Sequence, residues 1–198
     1  MFTYDSDNQV IAITKDSKKI EFEYDPFGRR TLKKTKDNET RFLWDGDVLL
    51  LENDVQYIHD GFIPVAKITE EEIETYHTDY LGTPKEVTNE SGEIIWQGNY
   101  DEYGKVSVVK DETEQNIRFQ GQYEDEETGL FYNRFRYYSA DDCRYINQDP
   151  LGIIAALNQF SYVVNPNNWV DPYGLYDEYD IARMGSSGHT GDGMDAHE

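Results

Sequence analysis

The stretch Ile20-Glu21-Phe22-Glu23-Tyr24-Asp25-Pro26-Phe27-Gly28 decides how the chain is read. Ile20, Phe22 and Tyr24 alternate with Glu21 and Glu23, a period of two that gives a strand one apolar and one polar side. Asp25 then opens a turn through its side-chain acceptor, and Gly28 supplies the left-handed position that completes it. The form Tyr-Asp-x-x-Gly returns at Tyr100-Asp101-Glu102-Tyr103-Gly104, and Tyr4-Asp5 precedes Tyr24-Asp25 by 20 residues. Short repeated units of this kind bury their faces only by stacking side by side, as in a repeat sheet.

Working outward, similar alternating runs appear at Val10–Thr14, Arg41–Trp44, Val48–Leu51, Val55–His59, Val65–Ile68, Glu93–Gln97 and Val106–Val109. Turn signals separate them: Asp45-Gly46-Asp47, Asp60-Gly61 and Asn89-Glu90-Ser91-Gly92. Short strands at this spacing predict a mainly β chain, a meander of antiparallel hairpins of roughly a dozen strands. The one helical candidate is the short stretch from Leu151 to Tyr162. The acidic runs Glu70-Glu71-Glu72 and Glu124-Asp125-Glu126-Glu127 are read as solvated hairpin tips.

Composition narrows the function. The chain has 198 residues, with 18 Lys and Arg against 40 Asp and Glu, a net charge of −22. Such a field argues against nucleic acid or an anionic membrane as the main partner. Aromatic residues make up 14% and include 16 tyrosines, which disfavours an acidic disordered chain. A single cysteine, Cys143, excludes an internal disulfide framework and a Cys-cluster zinc site. No apolar run approaches the roughly 20 residues that span a bilayer, and no signal peptide is visible.

The ordered motifs resemble the Rhs, or YD-repeat, family. Tyr24-Asp25-Pro26-Phe27-Gly28-Arg29-Arg30 looks like a YD repeat. His77-Thr78-Asp79-Tyr80-Leu81-Gly82-Thr83-Pro84, with Gly92, Trp96, Tyr100 and Gly104, resembles the approach to the repeat-associated core. The segment from Glu127 to Tyr138 resembles the start of that core, and Asp149-Pro150-Leu151-Gly152, Asn158, Tyr162 and Asn165 its continuation. The run from Pro166 through Asp171-Pro172-Tyr173-Gly174-Leu175 matches the terminal signature Pro-x4-Asp-Pro-x-Gly-Leu.

The resemblance implies a YD-repeat β-hairpin sheet over residues 1–110, part of a Rhs shell. A short irregular or helical core plug follows over 111–175, and the opening of a variable toxin segment over 176–198. It implies self-cleavage between Leu175 and Tyr176, by a single event without turnover and with no cofactor. It further implies the remainder of the shell and a C-terminal toxin as partners, with an immunity protein or secretion-system component, in bacterial competition and at a secreted or cell-surface location. With about two YD repeats, the chain looks like the C-terminal end of such a protein or a short orphan cassette.

Asp149 and Asp171 each precede a proline, which holds the backbone extended before it. Brought within a few ångströms, two carboxylates cannot both ionise easily; one keeps a proton and the other activates water. That is aspartyl-protease logic, and the competing reading of each Asp-Pro is an ordinary turn. Arg136 occupies the position of a basic residue that the family pattern links to processing. It either polarises the scissile carbonyl or holds one aspartate ionised, or else forms a structural ion pair. Pro166, Pro172 and Gly174 are the signature residues. Ala140 and Cys143 stand where the family pattern has Pro and Gly, which predicts strain in the loop leading to Asp149; Cys143 is read as a packed or half-exposed thiol, not a nucleophile.

In the tail, His189, Asp192, Asp195, His197 and Glu198 are of metal-ligand type, but His189 and His197 are not spaced as a helical ligand pair. No metal is expected there, and glycine content predicts a mobile tail. Two further functions compete: a non-catalytic repeat module showing its tyrosines to a partner or sugar, and a metal-dependent toxin domain at the C-terminus.

Overall fold

One kind of turn closes five of the eleven hairpins of the larger sheet. At Asp25 the carboxylate Oδ1 accepts the N–H groups of Phe27 and Arg29, each at 2.9 Å, while the Gly28 N–H donates to the Asp25 carbonyl at 2.9 Å. Asp79, Asn89 and Asp101 repeat this pattern with Gly82, Gly92 and Gly104 at the closing position. Asp5 repeats it with Asn8 there, at φ 62°. Asn tolerates the left-handed region through its short polar side chain, so the turn survives without glycine.

The computed structural model describes residues 1–152 and 158–175. The larger sheet begins with β1 (Phe2–Tyr4), β2 (Val10–Lys15), β3 (Lys18–Tyr24), β4 (Arg30–Lys34), β5 (Glu39–Asp45) and β6 (Val48–Glu52). They continue as β7 (Val55–Asp60), β8 (Ile63–Ile68), β9 (Ile73–Thr78), β10 (Pro84–Thr88), β11 (Ile94–Tyr100) and β12 (Val106–Asp111). Each strand pairs antiparallel with the next, giving one twelve-stranded meander. A second sheet of four, also a meander, follows: β13 (Tyr123–Asp125), β14 (Leu130–Asn133), β15 (Arg136–Ser139) and β16 (Arg144–Tyr145).

Alternation survives where one face meets water. In β3, Ile20 and Phe22 are buried while Lys19, Glu21 and Glu23 are exposed. In β14 and β15 every residue is buried, because both faces of the small sheet are covered. Consecutive side chains point to opposite faces, and Tyr137 and Tyr138 show what covers them. The Tyr137 hydroxyl lies 3.0 Å from that of Tyr24 in β3, and the Tyr138 hydroxyl donates to the Tyr103 carbonyl at 2.9 Å, next to β12. Both ends of the large sheet therefore reach the small one, so the wall curls around a core built from its own continuation.

Arg30 joins wall to core. Its guanidinium donates to the Asp125 carboxylate at 2.6 Å, with both side chains fully buried. Its Cζ lies 4.5 Å from the ring centroid of Tyr132, 4.6 Å from Phe42 and 5.4 Å from both Phe22 and Tyr123. The stacked rings occupy the faces of the cation where water would otherwise sit. This corrects the expectation for Glu124-Asp125-Glu126-Glu127. Asp125 is buried against Arg30, Glu124 bonds Arg118 and Glu127 bonds Lys33, so three of the four acids in the run hold basic groups. Glu70-Glu71-Glu72 does form the tip between β8 and β9.

The described strands number sixteen, more than the rough dozen expected, because β4, β9, β10 and the small sheet carry weaker alternation. Of the helical candidate Leu151–Tyr162, residues 153–157 lie outside the described residues, and the described flanks are turn, a 3-10 position at Gly152 and irregular chain. Among the described residues no helix is long and apolar enough to cross a membrane.

Candidate functional site: a buried carboxylate pair on one guanidinium

Two more copies of the recurring turn lie past the small sheet. Asp149 Oδ1 accepts the Leu151 N–H at 2.9 Å, and the Gly152 N–H donates to the Asp149 carbonyl at 3.0 Å. Asp171 Oδ1 accepts the Leu175 N–H at 3.0 Å, and the Gly174 N–H donates to the Asp171 carbonyl at 3.4 Å. Asp149 and Asp171 are thus turn residues, as the simpler reading of Asp-Pro holds. Their surroundings set them apart. The acceptors at Asp5, Asp25, Asp79, Asn89 and Asp101 are exposed or half-buried, while Asp149 and Asp171 are 4% and 5% exposed.

The second oxygens of the buried pair converge. Arg136 Nη2 lies 3.0 Å from Asp149 Oδ2 and 3.3 Å from Asp171 Oδ2. The two oxygens are separated by at most the sum of those distances. Arg136 is 1% exposed and fixed by four further contacts. Its Nε donates to the Gly174 carbonyl, Nη1 donates to the Gln159 carbonyl at 3.2 Å, its Cζ lies 3.6 Å from the Tyr145 ring centroid, and its β15 backbone pairs with Asn133. Arg136 thus contacts both carboxylates and the Gly174 carbonyl, one peptide before the Leu175 carbonyl.

Electrostatics at Asp171 are opposed. Burial pushes its carboxyl above the ordinary range, and the charge of Asp149 pushes the same way. Arg136 and the hydrogen bonds from Tyr145 and Leu175 pull it down. The net direction is upward, so Asp171 holds a proton more readily than an exposed aspartate does.

Two positioning groups escaped the sequence reading. Tyr145 donates its hydroxyl to Asp171 Oδ2 at 2.8 Å. Asn133 Nδ2 donates to the Tyr145 hydroxyl at 2.8 Å and to the Asp171 carbonyl at 3.0 Å. Asn133 lies in the Glu127–Tyr138 motif with no role assigned to it and Tyr145 lies outside any motif; both acquire their role from the β14–β15–β16 pairing.

The signature residues dock backbone to backbone. A Cβ on Gly174 would lie 2.3 Å from the Asn133 carbonyl oxygen, and one on Gly121 would lie 2.0 Å from that of Pro172. Both glycines have positive φ, at 64° and 79°. Gly121→Ala is expected to destabilise by about 3 kcal/mol, combining left-handed strain with a backbone clash. Chemical denaturation checks it, and a loss below about 1 kcal/mol would show that the contact is loose. Pro166 is buried at the start of the turn that bonds Asn168 and Trp169 to Asn165.

Ala140 is packed among Phe131, Tyr138 and Tyr145, so it does not act as a loop breaker. Cys143 is exposed, at φ 54°, holding the left-handed conformation glycine would favour. Burial first, and then the charges of Asp101, Asp142 and Asp141, push its thiol up, away from a nucleophilic thiolate. Tyr176, His189, Asp192, Asp195, His197 and Glu198 lie outside the described residues.

A hairpin meander with a recurring Asp turn, packed against a small sheet that follows it, is the pattern of a YD-repeat fold. Comparison with known proteins agrees. A family model described as RHS protein matches residues 75–110. Double-stranded DNA deaminase toxin A of Burkholderia cenocepacia is 37% identical over 90% of this chain and 16% of its own length. Toxin protein Tse5 of Pseudomonas aeruginosa is 32% identical over 87% of this chain and 17% of its own. The chain thus spans about a sixth of these relatives. A crystal structure titled TcdB2-TccC3-TEV superposes with a TM-score of 0.72 at 20% identity, over 88% of this chain and 10% of that one, and shares the fold. The chain belongs to the Rhs family.

Proposed function

We propose that the chain is the C-terminal, shell-closing part of a Rhs polymorphic-toxin-type protein that cuts itself once after Leu175. In this reading residues 1–110 are wall, 111–175 are core, and Tyr176 opens the released segment. The supporting observation is the shared guanidinium. Arg136 touches both buried carboxylates and the Gly174 carbonyl, while Asp171 Oδ1 holds the Leu175 N–H. The peptide group that joins Gly174 to Leu175, immediately before the proposed cut, is thereby held at both its carbonyl and its N–H.

The chemistry is hydrolysis. Asp149, paired with Arg136, takes a proton from water as the water oxygen bonds to the Leu175 carbonyl carbon. Asp171, whose carboxyl is pushed up by burial, gives its proton to the nitrogen of Tyr176 as the carbon–nitrogen bond breaks. The partners in this reading are the rest of the shell, the released toxin and an immunity protein or secretion component, and the protein acts outside the cell that makes it. The relatives named above are toxins of bacteria.

Intact mass of the purified 198-residue chain tests the proposal. The expected result is a species ending at Leu175 together with the peptide 176–198. A chain that stays whole across pH 4–8 would instead support the non-catalytic wall module.

A further inference from the structure

Asp171 has two oxygens, and the structure treats them differently. Oδ2 receives two donors, the Tyr145 hydroxyl at 2.8 Å and Arg136 Nη2 at 3.3 Å. Oδ1 receives one donor among the described residues, the Leu175 N–H at 3.0 Å. A carboxylate oxygen offers about two lone-pair sites. Both sites on Oδ2 are therefore filled, and among the described residues the open site lies on Oδ1, beside Leu175.

The direction of the Tyr145 hydroxyl hydrogen is fixed by its other neighbour. Asn133 Nδ2 is a donor with no lone pair to offer, and it points one hydrogen at the Tyr145 oxygen, 2.8 Å away. Its second hydrogen goes to the Asp171 carbonyl at 3.0 Å, which fixes the amide's orientation. With a donor already at its oxygen, the phenol must turn its own hydrogen to the carboxylate. Tyr145 and Asn133 are fully buried, so water does not compete.

We propose that Tyr145, its hydroxyl hydrogen aimed by Asn133, is a positioning residue that confines the proton of Asp171 to Oδ1, the oxygen that accepts the Leu175 N–H. This rests on the self-cleavage reading for its purpose, but not for its test. The groups facing Asp171 are Arg136 from β15, Tyr145 from β16, Asp149 from the turn after β16, and Tyr162 from the segment beyond it. Of these, the hydroxyl of Tyr145 can be removed without changing a charge or the shape of the ring.

The experiment is a carboxyl 13C NMR titration of the whole chain, with Asp171 assigned by its loss in Asp171→Asn. Asp171 lies before the cut, so the titration reads it whether or not the chain has cleaved. Tyr145→Phe frees a site on Oδ2 for the proton and removes a donor from the ionised form. The midpoint of Asp171 is expected to rise by about one pH unit. Asn133→Ala, which lets the hydroxyl rotate, is expected to shift it in the same direction by less. Should Tyr145→Phe fail to fold, difluorotyrosine at position 145 keeps the ring and donates more strongly, and the midpoint is expected to fall.

Where the wild type cleaves, the pH profile of Tyr145→Phe moves upward with the midpoint and its maximal rate falls about tenfold. An Asp171 midpoint unmoved by these replacements overturns the proposal. A moved midpoint in a chain that never cleaves leaves the proton placement standing and removes the self-cleavage reading.

Discussion

Asp171→Asn is expected to leave the 198-residue chain whole where the wild type divides, with a rate loss of at least about a thousandfold. The substitution is nearly isosteric. The Asn oxygen still accepts the Leu175 N–H, so the turn closes. What goes is the capacity to hold and deliver a proton at neutral pH. Asp149→Asn is expected to do the same, because its Oδ2 shares the Arg136 nitrogen with Asp171. The double variant is expected to be no worse than either single one, since members of one catalytic unit do not contribute additively. Quantitative intact mass over a day at pH 5 to 8 gives the answer. Cleavage that persists in both single variants rules out the pair.

The second large effect concerns the pin between wall and core. Arg30→Met is expected to cost about 3–5 kcal/mol, the penalty for leaving a buried charge without its partner. Asp125 is the charge left behind; Lys33 is at 3.4 Å, and the 2.6 Å contact to Arg30 is lost. Adding Asp125→Leu is expected to restore most of the loss, because two apolar side chains can replace a buried pair at little net cost. Urea unfolding of the single and double variants measures both. A single variant within about 1 kcal/mol of wild type would mean that the four aromatic rings pack well without the cation.

The two variants bear on how much was legible in the sequence. Strand alternation in Ile20–Tyr24 and the Asp-x-x-Gly turns were readable, because each is a local rule about one strand or four residues. So were Asp149 and Asp171 as candidates, through their prolines and the ordered motifs around them. Their meeting was not readable from spacing. It depends on β13–β16 bringing Arg136 between a turn 13 residues later and another 35 residues later.

The roles of Tyr145 and of Asn133, the latter inside the Glu127–Tyr138 motif, were not readable for the same reason. A buried tyrosine among 16 carries no mark until its hydrogen-bond partner is known. Asp125 was misread because an acidic run normally sits in water, and only the curl of the wall brings Arg30 and Lys33 to it. The expected strain at Ala140 and Cys143 was half right in kind: Cys143 holds a left-handed backbone, while Ala140 fills the core.

The recurrence of the Asp turn carries a consequence for how such a site can arise by descent. Duplicating a hairpin duplicates a carboxylate already seated in a rigid loop, one oxygen engaged and the other available. At Asp25 that spare oxygen meets the Arg29 side chain at the surface, at 2.7 Å. At Asp149 and Asp171 it meets Arg136 in the interior. Conversion from fastener to reagent needs no new backbone, only a lid over an old loop and an arginine beneath it. A lineage that multiplies hairpins for length therefore accumulates, as a by-product, a reserve of preset acids from which chemistry can be recruited.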